Sequence, residues 1–174
     1  KEKHGNNDYT SARLLTKGKA EWTYGHIEIR GKLPPGRGLW PAGWMLGSDV
    51  VTKGWPECGE IDIMEHVGYK KDSVFGTVHT GAYNHVKGTQ RGTTTFIENP
   101  YDQFHIFAID WTQEKIDFLL DGKLFYHFKN EHKTSAEWPF DRPFFILLNM
   151  AIGGNLGGQK GIDDSIFPAT FEID

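Results

Sequence analysis

The sequence predicts an all-β protein, a single antiparallel sandwich or barrel, and three observations carry that prediction. Aromatic residues make up 14% of the 174 residues, alongside 21 glycines and 8 prolines, a loading that suits pleated surfaces and tight corners better than helix faces. Stretches rich in β-branched and aromatic residues recur between turn signals. Asp121-Gly122 separates Lys115–Leu120 from Lys123–Phe128, and Asp-Gly takes the positive φ angles that a two-residue turn between antiparallel strands demands. The length fits one domain of roughly 100–200 residues. No repeat or linker divides it, so residues 1–174 are expected to form one unit.

In chain order the expected strands are Thr10–Thr16, Tyr24–Leu33, Glu60–Val67, Ser73–Thr80, Phe104–Trp111, the hairpin Lys115–Phe128, and Pro143–Ala151. Only Glu131–Trp138 offers a place for a short helix. The run Gly153-Gly154-Asn155-Leu156-Gly157-Gly158 lacks the dinucleotide fingerprint and a surrounding βαβ pattern, so it reads as a flexible loop.

Composition excludes several functions. Nineteen Lys plus Arg against 23 Asp plus Glu give a net charge of -4, which offers no electrostatic footprint for a nucleic acid. No run of about 18 apolar residues is present to span a bilayer, so no membrane partner is expected. Cys58 is the sole cysteine and forms no internal disulfide. There is no Gly-x-Ser-x-Gly elbow and no His-Glu-x-x-His pair, and the eight histidines show no ligand spacing, so no catalytic cofactor is expected.

The chemistry concentrates in Gly59-Glu60-Ile61-Asp62-Ile63-Met64-Glu65-His66. Polar and apolar residues alternate from Glu60 to Ile63, placing Glu60 and Asp62 on one face and the isoleucines on the other. The alternation then slips by one. A regular strand would bury Glu65 among the isoleucines at high cost. A bulge at Met64 instead returns Glu65 to the face of Glu60 and Asp62, and bulges commonly re-aim side chains beside active sites. Three close acids repel one another and push at least one pKa upward. Glycoside hydrolysis uses such a pair, one ionised and one protonated, about 5–5.5 Å apart for retention and roughly 6.5–9.5 Å for inversion. The competing reading is a polar strand face with scattered acids. Trp40, Trp44 and Trp55 just upstream favour the first reading, because flat aromatic faces suit the C–H faces of sugars. Trp40, an even number of positions from Trp44, either shares its face or belongs to the core.

With these residues in place the sequence resembles glycoside hydrolase family sixteen, and within it the laminarinase-type endo-β-1,3-glucanases. The resemblance is carried by Tyr24–Arg30, Lys32-Leu33-Pro34, Gly38–Leu46, Trp55-Pro56 with the acid strand, Gly76–His79 and Asn149–Gly154. It implies a β-sandwich of jelly-roll type with a concave substrate cleft. It further implies Glu60 as nucleophile, Glu65 as general acid and then base, and Asp62 between them to hydrogen-bond Glu60 and separate the two glutamate pKa values. Trp44 and Trp55 would be sugar platforms, with His79 and Arg30 as polar contacts to hydroxyls. Relatives with three acids in strict alternation are usually mixed-linkage lichenases, so the bulged pattern favours β-1,3-glucan over mixed-linkage glucan, with galactan as a further alternative because agar and carrageenan hydrolases share the bulge; the near-neutral charge balance argues against their sulfated substrates. A polymeric glucan in turn implies an extracellular enzyme.

Against the family pattern the chain starts at Lys1 and stops at Asp174 inside the last strand, so both ends of the fold are expected to be incomplete. A second polypeptide supplying the missing strands, or a longer parent chain, would follow from that. Asp174 matches a family position that ligates a structural calcium together with N-terminal residues. The rival from another class is a non-catalytic carbohydrate-binding module, which would need no acid triad. Within the enzyme class, a transglycosylase would share the covalent intermediate.

Overall fold

A computed structural model describes residues 4–174 of the chain. Eleven strands are formed among them: β1 (Arg13–Leu15), β2 (Gly25–Lys32), β3 (Leu39–Gly47), β4 (Glu60–Glu65), β5 (Ser73–His79), β6 (Arg91–Phe96), β7 (His105–Trp111), β8 (Lys115–Leu120), β9 (Lys123–Lys129), β10 (Phe144–Ile152) and β11 (Glu172–Ile173). They pair into a six-stranded sheet of order β1-β10-β3-β4-β5-β6 and a five-stranded sheet of order β11-β2-β7-β8-β9. Every pairing is antiparallel, and the result is the expected two-sheet sandwich of jelly-roll type.

Period-two alternation builds the core between the sheets. On β2, Ile27 and Ile29 are buried while His26, Glu28 and Arg30 are exposed. They meet Met45, Ile61, Ile63 and Val78 of the six-stranded sheet and Phe107, Ile109, Trp111 and Phe118 of their own. Gly43 on β3 lets the sheets approach closely, since a Cβ there would lie 2.5 Å from Ile29 Cδ1.

β4 lies inside its sheet, between β3 and β5, and carries the expected irregularity. Trp44 pairs with Asp62 and Gly43 with Met64, which skips Ile63, and on the other side Asp62 pairs with Thr77 and Glu65 with Phe75. The extra residue therefore lies at Ile63–Met64, and both of these side chains are fully buried. Two consecutive residues enter the core, and Glu65 returns to the face of Glu60 and Asp62.

The hairpin forms as expected, with Asp121 at φ 50° and Gly122 at φ 75° between β8 and β9. β3 was not among the expected strands, because Pro41, Gly43 and Gly47 interrupt the β pattern; its Pro41 carbonyl nonetheless accepts from His66 N–H. β6 also escaped the pattern, being a threonine-rich edge strand exposed at most positions. No helix forms at Glu131–Trp138. A single turn closes on the Thr134 carbonyl, Trp138 stacks on Phe128 at 5.6 Å, and Pro139 has no N–H to extend it. Gly154–Gly157 is a short helix, α1, and not a loop. It rests against Trp40, since a Cβ on Gly157 would lie 2.8 Å from Trp40 Cβ. At the sheet margins β1 exposes Leu14 and Leu15, and β11 exposes Ile173.

The entrance to β4 is set by Gly47, whose N–H donates to the Gly59 carbonyl and whose missing Cβ would fall 2.1 Å from the Cys58 carbonyl oxygen. Gly47→Ala must push that backbone away and is expected to destabilise the protein by about 2–3 kcal/mol, the scale of overpacking. Urea denaturation checks this, and an unchanged midpoint would show that the strand entrance has room to spare.

Candidate active site

The bulge on β4 and the register of its neighbours assemble the site. Glu60 lies opposite His79 on β5, Asp62 opposite Trp44 on β3, and Glu65 opposite Ala42. One cleft is lined by all three carboxylates together with Arg13, Trp40, Trp44 and Asn149. The small Ala42 and Ala151 on its floor leave the acids reachable from outside.

Tryptophans fix the carboxylates. Trp55 Nε1–H donates to Glu60 Oε2 at 3.0 Å, and Trp40 Nε1–H donates to Glu65 Oε1 at 2.9 Å. Trp44 Nε1–H donates to Asn149 Oδ1 at 2.8 Å, which holds its ring along the cleft, and the Arg13 guanidinium lies 5.4 Å from that ring's centroid. His79 Nε2 faces Asp62 Oδ2 at 3.4 Å and Glu60 Oε1 at 3.8 Å. His85 lies 4.8 Å from Trp55, ring centroid to ring centroid, and covers part of that indole.

Burial pushes all three carboxyls up, and repulsion from acidic neighbours adds to it at Glu60 and Asp62. Glu60 is raised to about 7, first by desolvation and then by the charge of Glu65, against the opposing pull of the Trp55 N–H, a hydrogen bond from Asp62, and Arg13. Asp62 is held well above the usual range by burial, by its two acidic neighbours, and by the hydrogen bond in which it gives its proton to Glu60. Glu65 is raised by burial, with only the Trp40 N–H opposing. Burial, and then His85, push His79 down to about 4, so its imidazole is neutral near neutral pH despite two adjacent carboxyls. Three groups favour the ionised form of Glu60 and one favours that of Glu65.

The structure brings together Glu60, Asp62, Glu65, Trp44, Trp55 and His79. It does not bring Arg30. Alternation with Ile27 and Ile29 turns Arg30 outward on the other sheet, where it pairs with Asp174 and lies 4.3 Å from the Phe104 ring centroid. Asp174, the expected calcium-ligating position, has its carboxylate paired with Arg30 on that sheet. Trp40 shares the cleft with Trp44, which settles its position. Arg13, Asn149 and His85 were not foreseen. Asn149 is a polar residue within an apolar strand, a signal that was legible, whereas Arg13 and His85 arrive from a distant edge strand and a loop.

The chain matches the profile of glycosyl hydrolases family 16 over residues 4–166. It is 52% identical over 181 residues to a beta-glucanase of Rhodothermus marinus, covering 99% of this chain and 63% of that protein. It is 38% identical to glucan endo-1,3-beta-glucosidase A1 of Niallia circulans over 95% of this chain and 26% of that protein. The crystal structure of the Rhodothermus marinus laminarinase superposes with a TM-score of 0.96 at 49% identity, over 99% of this chain and 71% of that one. The chain thus spans less than two thirds of the length of either curated relative. With the bulged acid strand, the tryptophan-bound glutamates and the two-sheet fold all in agreement, the chain belongs to family 16 of the glycosyl hydrolases.

Proposed function

We propose that this chain carries the catalytic site of an extracellular endo-hydrolase that cleaves β-1,3-glucan with net retention of anomeric configuration. The single observation that carries the reading is the cleft face of β4, where a bulge sets Glu60, Asp62 and Glu65 together and a tryptophan N–H holds each glutamate. Sugar binding alone has no need of three buried acids that resist ionisation.

Glu60, as a carboxylate, attacks the anomeric carbon while Glu65 gives its proton to the departing glycosidic oxygen, so the glycosidic bond breaks as the ester to Glu60 forms. Glu65, now a carboxylate, takes a proton from water as that water attacks the same carbon. The ester breaks, Glu60 leaves as a carboxylate, and Glu65 ends protonated. Asp62 touches Glu60 and holds the proton that would otherwise compete for it. Trp44 on the cleft wall and Trp55 beside Glu60 are the rings assigned to stack on sugar faces. An open cleft accepts the interior of a chain, and a polymer of that size is met outside the cell. The laminarinase and endo-1,3-beta-glucosidase names of the similar proteins support the β-1,3 linkage, and a similar non-specific endo-beta-1,3(4)-glucanase, 46% identical with a TM-score of 0.93, makes mixed-linkage glucan the second substrate to test.

Reducing-sugar release from laminarin should exceed release from lichenan. Glu60→Ala should abolish it, while azide restores cleavage of an activated β-glucoside and yields the α-azide; laminarin binding without turnover in the unsubstituted chain would replace the hydrolase reading with a binding module. Glu65→Gln is expected to lower kcat on laminarin by about 10²–10⁴-fold, the usual worth of a general acid, with far less loss on substrates whose leaving group needs no proton. Product analysis with excess acceptor sugar separates hydrolysis from transglycosylation.

Stability carries the same signature. Glu60 titrates at 4.5 ordinarily and at about 7 when folded, so the folded state binds more protons than the unfolded chain between those values. Stability is therefore fully present below the lower value and lost as pH rises through the upper one. Glu60→Gln should raise stability at mildly alkaline pH by on the order of 2 kcal/mol, with the gain vanishing in acid. A thermal melt series across pH reads this directly, and a gain independent of pH would refute the assignment.

A further inference from the structure

We propose that Glu60, Asp62 and His79 form a chelating site for a divalent transition-metal ion of the zinc class, and that the bound ion shuts the cleft down by occupying Glu60. The binding claim stands on geometry alone, and only the inhibition rests on the hydrolase reading.

One ligand atom from each of Glu60, Asp62 and His79 lies within 4.8 Å of the other two, and His79 Nε2 lies 3.4 Å from Asp62 Oδ2 and 3.8 Å from Glu60 Oε1. A tetrahedral zinc ion with bonds of about 2.0–2.1 Å needs donors about 3.3 Å apart. The His79–Asp62 edge already has that length, and the His79–Glu60 edge must close by about half an ångström. Asp62 is 4% exposed, yet its Oδ2 has no hydrogen-bond partner. A buried acceptor without a donor is costly, and this one lies 3.4 Å from the ring nitrogen of His79. His79 and Glu60 face each other across β4 and β5, so the sheet itself holds two of the three donors in register.

Chemistry selects the ion. Two carboxylates cancel a dication, which would remove the repulsion that otherwise forces protons onto them. One imidazole with two carboxylate oxygens and an open fourth position suits zinc, cobalt, nickel or copper, whereas calcium and magnesium want oxygen alone. His79 Nδ1 has no acceptor behind it, and a metal-bound imidazole is normally braced there. The site is therefore a moderate binder that fills and empties with ambient metal. His26 with Glu28 and Asp110 offers the same donor types, but both ring nitrogens already hold carboxylates, at 2.9 and 2.6 Å, in an exposed position. It serves as the control.

The test titrates metal-stripped protein with Co2+ while following its visible ligand-field absorption, then displaces it with Zn2+. One equivalent should bind with the intensity of four-coordinate cobalt. His79→Gln and Asp62→Asn should each weaken Zn2+ binding by about tenfold or more, and His26→Gln should leave it unchanged. Should either variant fail to fold, the 1H–15N spectrum of the unsubstituted protein decides, because Zn2+ must shift the His79 ring and leave the other histidines in place. Zn2+ should also stop laminarin hydrolysis reversibly, with full recovery on chelation. No cobalt spectrum, a spectrum that survives both substitutions, or one lost with His26→Gln overturns the site. Binding at His79 by a protein inactive on laminarin would uphold the site and remove the hydrolase reading instead.

Discussion

Packing Ile63 and Met64 side by side into one core, on a strand whose side chains otherwise alternate, forces an extra residue into β4. The rest of the site depends on that constraint. The core gains two adjacent apolar groups, and the strand beyond them is turned so that Glu65 shares a face with Glu60 and Asp62. Because β4 sits between β3 and β5, the bulge cannot drift: Trp44 and Thr77 pin Asp62 before it, and Ala42 and Phe75 pin Glu65 after it. The acids are thus held by the sheet and not by a loop, which gives them the fixed geometry that catalysis by paired carboxyls requires.

Concentrating three carboxyls in a half-buried cleft is unfavourable, and the surrounding residues distribute that cost unequally. Glu60 receives an indole N–H, the Asp62 proton and the field of Arg13, while Glu65 receives an indole N–H alone. Unequal support, with the charge of Glu65 raising Glu60 in return, sets two chemically identical groups apart. The neutral His79 adds no charge of its own, so it leaves this division undisturbed while closing the cleft beside Glu60. The same unsatisfied Asp62 oxygen that strains the resting site is what makes it attractive to a metal ion, so one local conflict underlies both readings of the site.

Much of the fold was legible because its strands alternate strictly. Ile27 and Ile29, the Asp121-Gly122 turn and the slip after Ile63 each carry a local rule that survives in the folded chain. β3 was not legible, since Pro41 and Gly43 contradict strand propensity; its pairing is enforced from outside by β10 and β4, and Gly43 is small because Ile29 of the opposite sheet presses on it. Glu131–Trp138 had helical promise but yielded to the stacking of Trp138 on Phe128. Arg30 was misplaced for a plain reason: its motif matched, yet the alternation of its own strand already pointed it outward.

By itself the sequence determined the two-sheet class, the hairpin, the bulge and the identity of the three acids, because each follows from nearest-neighbour rules of spacing and side-chain direction. Tertiary structure alone decided which tryptophan holds which glutamate, that Arg13 and Asn149 enter the cleft, and that Arg30 and Asp174 occupy each other far from it. Those outcomes rest on strand order and register across two sheets, in which residues more than a hundred positions apart, such as Trp44 and Asn149, become hydrogen-bond partners. No local pattern encodes such a pairing, and it arises only when the sheets bury their inner faces against one another.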